Sequence, residues 1–303
     1  MRIFLTKGSK LTEISEKSFV LEKEIQRLTE ANLHDIFDLD LVRSEFELHG
    51  LRIDTLTFDK ESKAFVITEY KKDRKFSVVD QGFAYLNLMI SNKADFILEY
   101  NERSSIPLRK QDVDWTQTRV IFVAPEFTKY QQHAIGFKDL AIQLWEVHKY
   151  SNGLIVFNEI KSPSTKEPIT AITKSNPVAK RVSEEIKVYT EDDHLKVVDD
   201  KTAELYSELK STILTLGNDI EIRPKKLYIA FRRKQAFVSF VFLKSKIKAY
   251  LSIEIDKIND PLRKARDVKD IGHHSTGNIE LTITEKSEIP YVLSVIKQAY
   301  ERN

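Results

Sequence analysis

The residues best placed to do chemistry lie in one stretch, RIDTLTFDKESKAFVITEYKK, residues 52–72. Residues of equal parity on a strand share a face, so Glu69 and Lys71 point the same way. Asp54 stands on the first arm of a hairpin closed by the polar turn KESK, residues 60–63, and can sit beside them across the ladder. Two carboxylates about 4 Å apart repel by about 4 kcal/mol at an effective dielectric of about 20, a cost proteins seldom carry without a cation. Hard divalent ions take carboxylate and carbonyl oxygens, which makes Asp54, Glu69 and the backbone carbonyl of Tyr70 candidate ligands for Mg²⁺ or Mn²⁺. Lys71 could then orient an attacking water or meet the charge that grows at a reacting phosphate.

An exposed hairpin with cross-strand charge pairs would carry the same residue types. Two features separate this stretch from that reading. Ala64, Phe65, Val66 and Ile67 run continuously apolar into Glu69, as in a strand buried on both faces. The helix that follows carries Gln81 and Tyr85, four apart on one face and able to reach back to the strand ends.

Asp54, Glu69-Tyr70-Lys71 and Gln81-Gly82-Phe83-Ala84-Tyr85 together resemble the Asp, Glu-x-Lys and Gln-x-x-x-Tyr series of PD-(D/E)XK nucleases, in particular the RecB-like branch. The resemblance covers about residues 20–100 and departs from the name-giving pattern only in Ile53 before Asp54. It implies a restriction-endonuclease-like α/β core with a mixed sheet, in which Asp54 and Glu69 bind Mg²⁺ or Mn²⁺. It also implies that Lys71 assists the water that cleaves a phosphodiester, and that Gln81 and Tyr85 contact nucleic acid or brace the site, with Lys72 grouped beside them as a substrate contact. A glutamate of the first helix often completes such a site. Glu24, read on one stripe with Leu21, Ile25 and Leu28, is the choice here, ahead of Glu22 and Glu30. The expected activity is that of a metal-dependent phosphodiesterase or endonuclease, with DNA the first nucleic acid to consider. A homodimer would offer one site to each strand of a duplex. The alternative is a non-catalytic module that binds nucleic acid or protein and retains the fold; the intact Asp54, Glu69 and Lys71 argue for the enzyme.

The wider N-terminal half is similar to a bacterial and archaeal family of restriction-endonuclease-like proteins, some of them labelled predicted transport proteins. The strongest apolar run, AFVSFVFL at 236–243, falls far short of the roughly 20 residues that cross a bilayer. No secretory signal is read at the N-terminus, and the chain has no cysteine; both fit a cytoplasmic setting and exclude a disulfide framework or thiolate zinc site. At 303 residues, 41% hydrophobic and 31% charged, the chain has the composition of ordinary globular domains, two by length.

The elements that must position these residues follow from periodicity. A helix is expected over 13–35, strands over 44–59 and 64–71, a helix over 78–91, a strand at 119–125, a helix at 128–138 and strands near 141–148 and 153–159. These make a first domain, 1–160. Residues 161–195 are expected as linker, since 161–180 hold three prolines and little apolar periodicity. A smaller α+β domain over 196–303 follows, with a helix at 200–216, strands near 226–232, 236–244 and 248–255, a short helix around 260–266, a strand at 279–284 and a last helix at 288–301. Between Lys225 and Tyr250 lie eight basic residues and no acidic one, although the net charge is only +2. Such a surface could meet phosphates, with Tyr228 and Phe231 stacking on bases if they face outward. Lysines at strand tips also discourage edge pairing, and alternating aromatics usually belong to a core. His273 and His274, adjacent in the loop GHHSTGN, point apart and suit a turn better than a chelate.

Overall fold

The computed structural model describes residues 2–73, 76–137, 140–161, 177–273 and 275–303. They form two compact units, Met1–Val188 and Tyr189–Asn303.

The first unit opens with a separate two-stranded hairpin, β1 (Ile3–Lys7) and β2 (Lys10–Ile14). A short β3 (Glu16–Lys17) leads to helices α1 (Glu22–Glu30) and α2 (Leu33–Phe37). Strands β4 (Asp40–Leu48), β5 (Leu51–Asp59) and β6 (Ala64–Tyr70) then form an antiparallel meander. Helices α3 (Val78–Ser91) and α4 (Lys93–Asn101) precede β7 (Arg119–Ala124). After α5 (Lys129–Ala134) come β8 (Ile142–Tyr150), β9 (Ile155–Glu159) and α6 (Pro177–Glu185). The main sheet runs β3-β8-β7-β6-β5-β4, with β9 also paired to β8. Strands β6, β7 and β8 are parallel and the outer pairs antiparallel, so the sheet is mixed and the fold is α/β.

Every residue of β6 is buried, as its continuous apolar run requires of a central strand covered on both faces. Phe65 and Ile67 pack in one core with Phe83, Leu86 and Met89 of α3. Val66 and Tyr70 join a second core with Ile25 of α1 and Leu33 and Phe37 of α2. The alternation of β6 therefore sends Glu69 to the α3 side and Tyr70 to the α1 side.

Several expected elements come out differently. The helix read over 13–35 is β2, β3 and two short helices, and α1 begins only at Glu22. Residues 44–59 are not one strand. They turn at His49 and Gly50, both at positive φ (49° and 78°), which splits them between β4 and β5. Of the expected linker, residues 162–176 lie outside the described residues. The part from Pro177 onward is helical: α6 buries Ala179 and Val182, with Ile186 after it, in the same core as α3. Proline at its first position is compatible with a helix start, which explains why a proline-rich reading missed it.

The second unit comprises α7 (Glu191–Leu195), α8 (Asp200–Leu214), β10 (Glu221–Pro224), β11 (Ile229–Arg232), β12 (Ala236–Leu243), β13 (Lys246–Leu251), β14 (Arg266–Asp267), β15 (Ile279–Ile283) and α9 (Ile289–Arg302). Its sheet runs β10-β11-β12-β13-β15-β14 and is antiparallel throughout. Leu205 and Leu209 of α8 and Val292 and Ile296 of α9 share its core with Phe231, Phe240 and Leu281. Phe231 is wholly buried against Phe240 (ring centroids 5.4 Å), and Tyr228 is 5% exposed, so neither ring faces outward to meet a base. The helix expected around 260–266 is instead a turn. Arg263 adopts φ 50°, and the Asp260 carboxylate accepts from the Ala265 amide at 2.8 Å, a local bond that competes with helix formation. His273 stacks on Tyr250 (4.7 Å, 20°), its Nδ1 3.3 Å from the Ser275 hydroxyl, and His274 lies outside the described residues.

Candidate functional site

The β5–β6 ladder ends at Thr55 opposite Thr68, and one further step of that register brings Asp54 opposite Glu69. At that point a side chain replaces the ladder: the Tyr70 amide donates to Asp54 Oδ2 at 3.1 Å. Glu69 is 3% exposed. Its Oε1 accepts from Lys71 Nζ at 2.6 Å and from Gln81 Nε2 at 2.9 Å. Its Oε2 is buried and has no hydrogen-bond partner among the described residues. Burial, followed by the charge of Glu69, pushes the Asp54 carboxyl up to about 6 from its ordinary 3.8. Asp54, Glu69, Lys71 and Gln81 thus converge on one spot.

Tyr85 joins them through Gln81, whose Nε2 lies 3.2 Å from the phenol oxygen. The Tyr85 hydroxyl donates to the Arg52 carbonyl at 3.0 Å, and burial holds this phenol above its ordinary pKa, so it remains a donor. From the opposite face, Gln26 Nε2 of α1 donates to the Asp54 carbonyl at 3.0 Å. The end of β5 is therefore pinned from both helical layers. Behind it, the Glu30 carboxylate accepts from Gln26 at 2.9 Å and from the Thr55 hydroxyl at 2.6 Å, while Thr55 lies 3.2 Å from the Tyr70 hydroxyl.

Glu24 does not join this group. Its carboxylate accepts from Lys149 Nζ and, at 3.2 Å, from the Val20 amide, and the Lys149 bond holds its carboxyl below the usual range. The stripe that suggested Glu24 relied on Leu21, which sits at the N-cap and is 62% exposed. The face of α1 that meets the site is Glu22, Gln26 and Glu30, spaced i, i+4, i+8, with Gln26 buried. Glu22 accepts from the Lys72 amide at 3.0 Å and adds repulsion that helps raise Asp54. That spacing was legible, but a polar triplet gives no apolar signal. Lys72 is exposed and lines an open cleft of about 540 Å³ together with Glu22, Lys23, Arg52 and Asp54.

A further residue escaped the sequence reading. Ser44 pairs with Thr55 and Phe46 with Ile53, which sets Glu45 opposite Asp54. A regular strand would line up Glu45, Asp54 and Glu69 on one face. Glu45 instead adopts φ 54°, a left-handed conformation that costs a non-glycine residue about 1–2 kcal/mol. Its carboxylate bonds Lys23 and lies 2.9 Å from Arg52.

The helix read at 128–138 is α5, begun by a capping box between Thr128 and Gln131. Gln131 Nε2 also donates to the Phe76 carbonyl at 2.9 Å. Tyr130 on this helix is 90% exposed.

Among the described residues, no group of three or more His, Asp or Glu side chains is arranged to hold a metal ion. A three-carboxylate site including Glu24 is thus not formed. Two carboxylates remain, one with an unpartnered buried oxygen and the other resisting ionisation, beside the Tyr70 carbonyl. That donor set fits Mg²⁺ or Mn²⁺, since Mg²⁺ is commonly held by one or two carboxylates with water and substrate phosphate completing its shell.

Comparison with known proteins gives three kinds of match. Residues 191–303 match a family model described as "Domain of unknown function (DUF5655)". Two solved structures align at 18% identity: a repair endonuclease from Pyrococcus abyssi, TM-score 0.22 over 40% of this chain, and an EndoMS–dsDNA complex, TM-score 0.26 over 43%. The chain spans under half of either, 45% and 47% of their lengths. An uncharacterized protein of Haemophilus influenzae is 43% identical over 299 residues, 99% of each chain. Identity of that extent along both chains places this protein in the same family as the Haemophilus influenzae protein.

Proposed function

We propose that the first unit is a metal-dependent phosphodiesterase that hydrolyses nucleic acid, DNA in the first place, at the site formed by Asp54, Glu69 and Lys71. The observation that carries the reading is the state of Glu69: one oxygen bonded to Lys71 and Gln81, the other buried and unpartnered, opposite a carboxyl raised by burial and then by the charge of Glu69. An orphaned carboxylate oxygen at the end of a buried strand is costly unless a cation or proton occupies the site. The resemblance of Asp54, Glu69-x-Lys71 and Gln81-x-x-x-Tyr85 to the PD-(D/E)XK pattern supports the same assignment.

Asp54, Glu69 Oε2 and the Tyr70 carbonyl would hold Mg²⁺ or Mn²⁺, which when bound would supply Lewis-acid activation of water and charge neutralisation at phosphate. Lys71 Nζ lies 2.6 Å from Glu69 Oε1, where it can orient a water or stabilise negative charge on a phosphoryl oxygen. Gln81 fixes the Glu69 carboxylate, and Gln26 and Tyr85 fix the strand that carries Asp54. Lys72, with its neighbours in the cleft, would contact the backbone of the substrate.

The test is cleavage of supercoiled and single-stranded DNA with Mg²⁺ or Mn²⁺ by the full chain and by Asp54→Asn, Glu69→Gln and Lys71→Ala. Metal-dependent cleavage lost in all three, with unchanged folding, is expected. Cleavage that survives these substitutions would remove the assignment. Binding without cleavage in the unaltered chain would favour a nucleic-acid-binding module instead.

A further inference from the structure

Resting on the reading above, we infer that Lys23 and Arg52 form a phosphate-binding subsite beside the acidic centre, and that Glu45 occupies this subsite as an internal anion when nucleic acid is absent. Three observations meet here. Lys23, in the first turn of α1, and Arg52, two residues before Asp54, both line the cleft that contains Asp54 and Lys72. Both cations turn to the same carboxylate, Glu45, bonded by Lys23 and 2.9 Å from Arg52. Glu45 reaches them from a left-handed backbone, φ 54°, at the position of β4 opposite Asp54.

The geometry explains why this is more than a surface ion pair. A regular β4 would aim Glu45 at the row of Asp54 and Glu69, adding a third carboxylate to two that already repel. The backbone turns aside, and the displaced carboxylate settles between the two cations of the cleft. Strained conformations of this kind persist where surrounding structure holds them, and they gather at ligand sites. Glu45 is a monoanion with two oxygens, and Lys23 and Arg52 are donors that serve carboxylate and phosphodiester alike. A backbone phosphate entering the cleft exchanges one monoanion for another on the same donors. The side chains of Lys23, Arg52 and Glu45 are 39%, 56% and 37% exposed, so the exchange needs no opening of the core. Moreover, Arg52 is held in register by the Tyr85 hydroxyl on its carbonyl, which fixes the subsite relative to Asp54.

The proposal is tested by fluorescence anisotropy with a labelled DNA duplex and its single strand, in EDTA, across a salt series. Glu45→Gln keeps the shape and removes the charge; affinity at low salt should rise about tenfold, since the competing anion is gone. Lys23→Gln/Arg52→Gln should weaken binding and reduce the slope of log K against log salt by about two, as for two lost phosphate contacts. Thermal melts of each variant confirm folding, and Glu45→Ala provides a second removal of the charge. Unchanged or weaker binding by both Glu45 variants, or an unchanged salt slope in the double variant, overturns the subsite. A full chain that binds no nucleic acid overturns both this subsite and the proposed activity. Variants that behave as expected in a chain that never cleaves DNA with Mg²⁺ or Mn²⁺ leave the subsite standing and remove only the phosphodiesterase.

Discussion

At the scale of the residue, Asp54 makes the sharpest prediction. Its carboxyl is raised to about 6 by burial first and by Glu69 second. Between roughly pH 4 and pH 6 the folded chain therefore keeps a proton that the unfolded chain has released. A raised carboxyl contributes stability that is complete below its unfolded pKa and is lost as pH rises through the folded one. The metal-free protein should accordingly lose thermal stability across that window, and Asp54→Asn should flatten the loss and melt higher than the unaltered chain near neutrality, about pH 7. Differential scanning calorimetry in EDTA at a series of pH values reads this directly; equal pH profiles for the two proteins would contradict it. Asp54, Glu69, Lys71, Gln81 and Tyr85 were legible because parity on a strand and i, i+4 spacing on a helix fix which side chains can meet. The stripe through Leu21 points to Glu24, but α1 starts one residue after Leu21, and the stripe does not face the site. Glu45 was invisible, since a left-handed residue inside a strand leaves no mark on periodicity.

At the scale of the element, the site depends on how α3 and α1 seat against the sheet. A Cβ on Gly82 would lie 2.2 Å from Ile142 Cδ1 and 2.9 Å from its Cγ1, so α3 rests on β8 at this glycine, one residue from Gln81. Gly82→Ala should destabilise the protein by about 1–3 kcal/mol through overpacking, because Ile142 is itself buried. Trimming the partner, Ile142→Val or Ile142→Ala, should return part of the loss in a double-mutant cycle measured by urea unfolding. Strict additivity would show that the two do not meet as described. On the other layer, Gln26→Ala removes the donor to the Asp54 carbonyl and an amide of the Glu30 network. Leaving such buried groups unpaired should cost about 1–3 kcal/mol, and metal-dependent cleavage should fall more than it does in Tyr85→Phe, which keeps its ring packing. The central hairpin and α3 were readable from β6's apolar run and the turn at 60–63. The β1–β2 hairpin was not. Its residues are almost all exposed, so no buried face writes a pattern into the sequence.

At the scale of the whole molecule, each unit has a core of its own, and the division falls between Val188 and Tyr189. Residues 189–303 should therefore fold when expressed alone, with a cooperative melt. A chain of those residues that remained unfolded would contradict this. The proline-rich stretch near 161–180 reads as a change of unit, but the division falls later, and Ala179, Val182 and Ile186, at i, i+3 and i+7, make a helical stripe too short to announce alone that it completes the core over α3. In the basic run of the second unit, Arg232 is buried, Arg233 meets Asp219 at 2.6 Å and Lys248 meets Glu280 at 2.9 Å. Its aromatics, however, serve the core, which is the commoner fate of alternating rings on a strand. No helix among the described residues is long and apolar enough to cross a membrane.

The proposed activity depends on Asp54 and Glu69 together forming a cation site. Isothermal titration of Mn²⁺ and Mg²⁺ into the full chain, with and without a DNA oligonucleotide bearing a non-hydrolysable phosphorothioate backbone, tests it most directly. Saturable binding is expected in the unaltered protein, strengthened by the oligonucleotide and abolished in both Asp54→Asn and Glu69→Gln. The same heats in all three proteins, or none in the unaltered chain even with the oligonucleotide present, would contradict it.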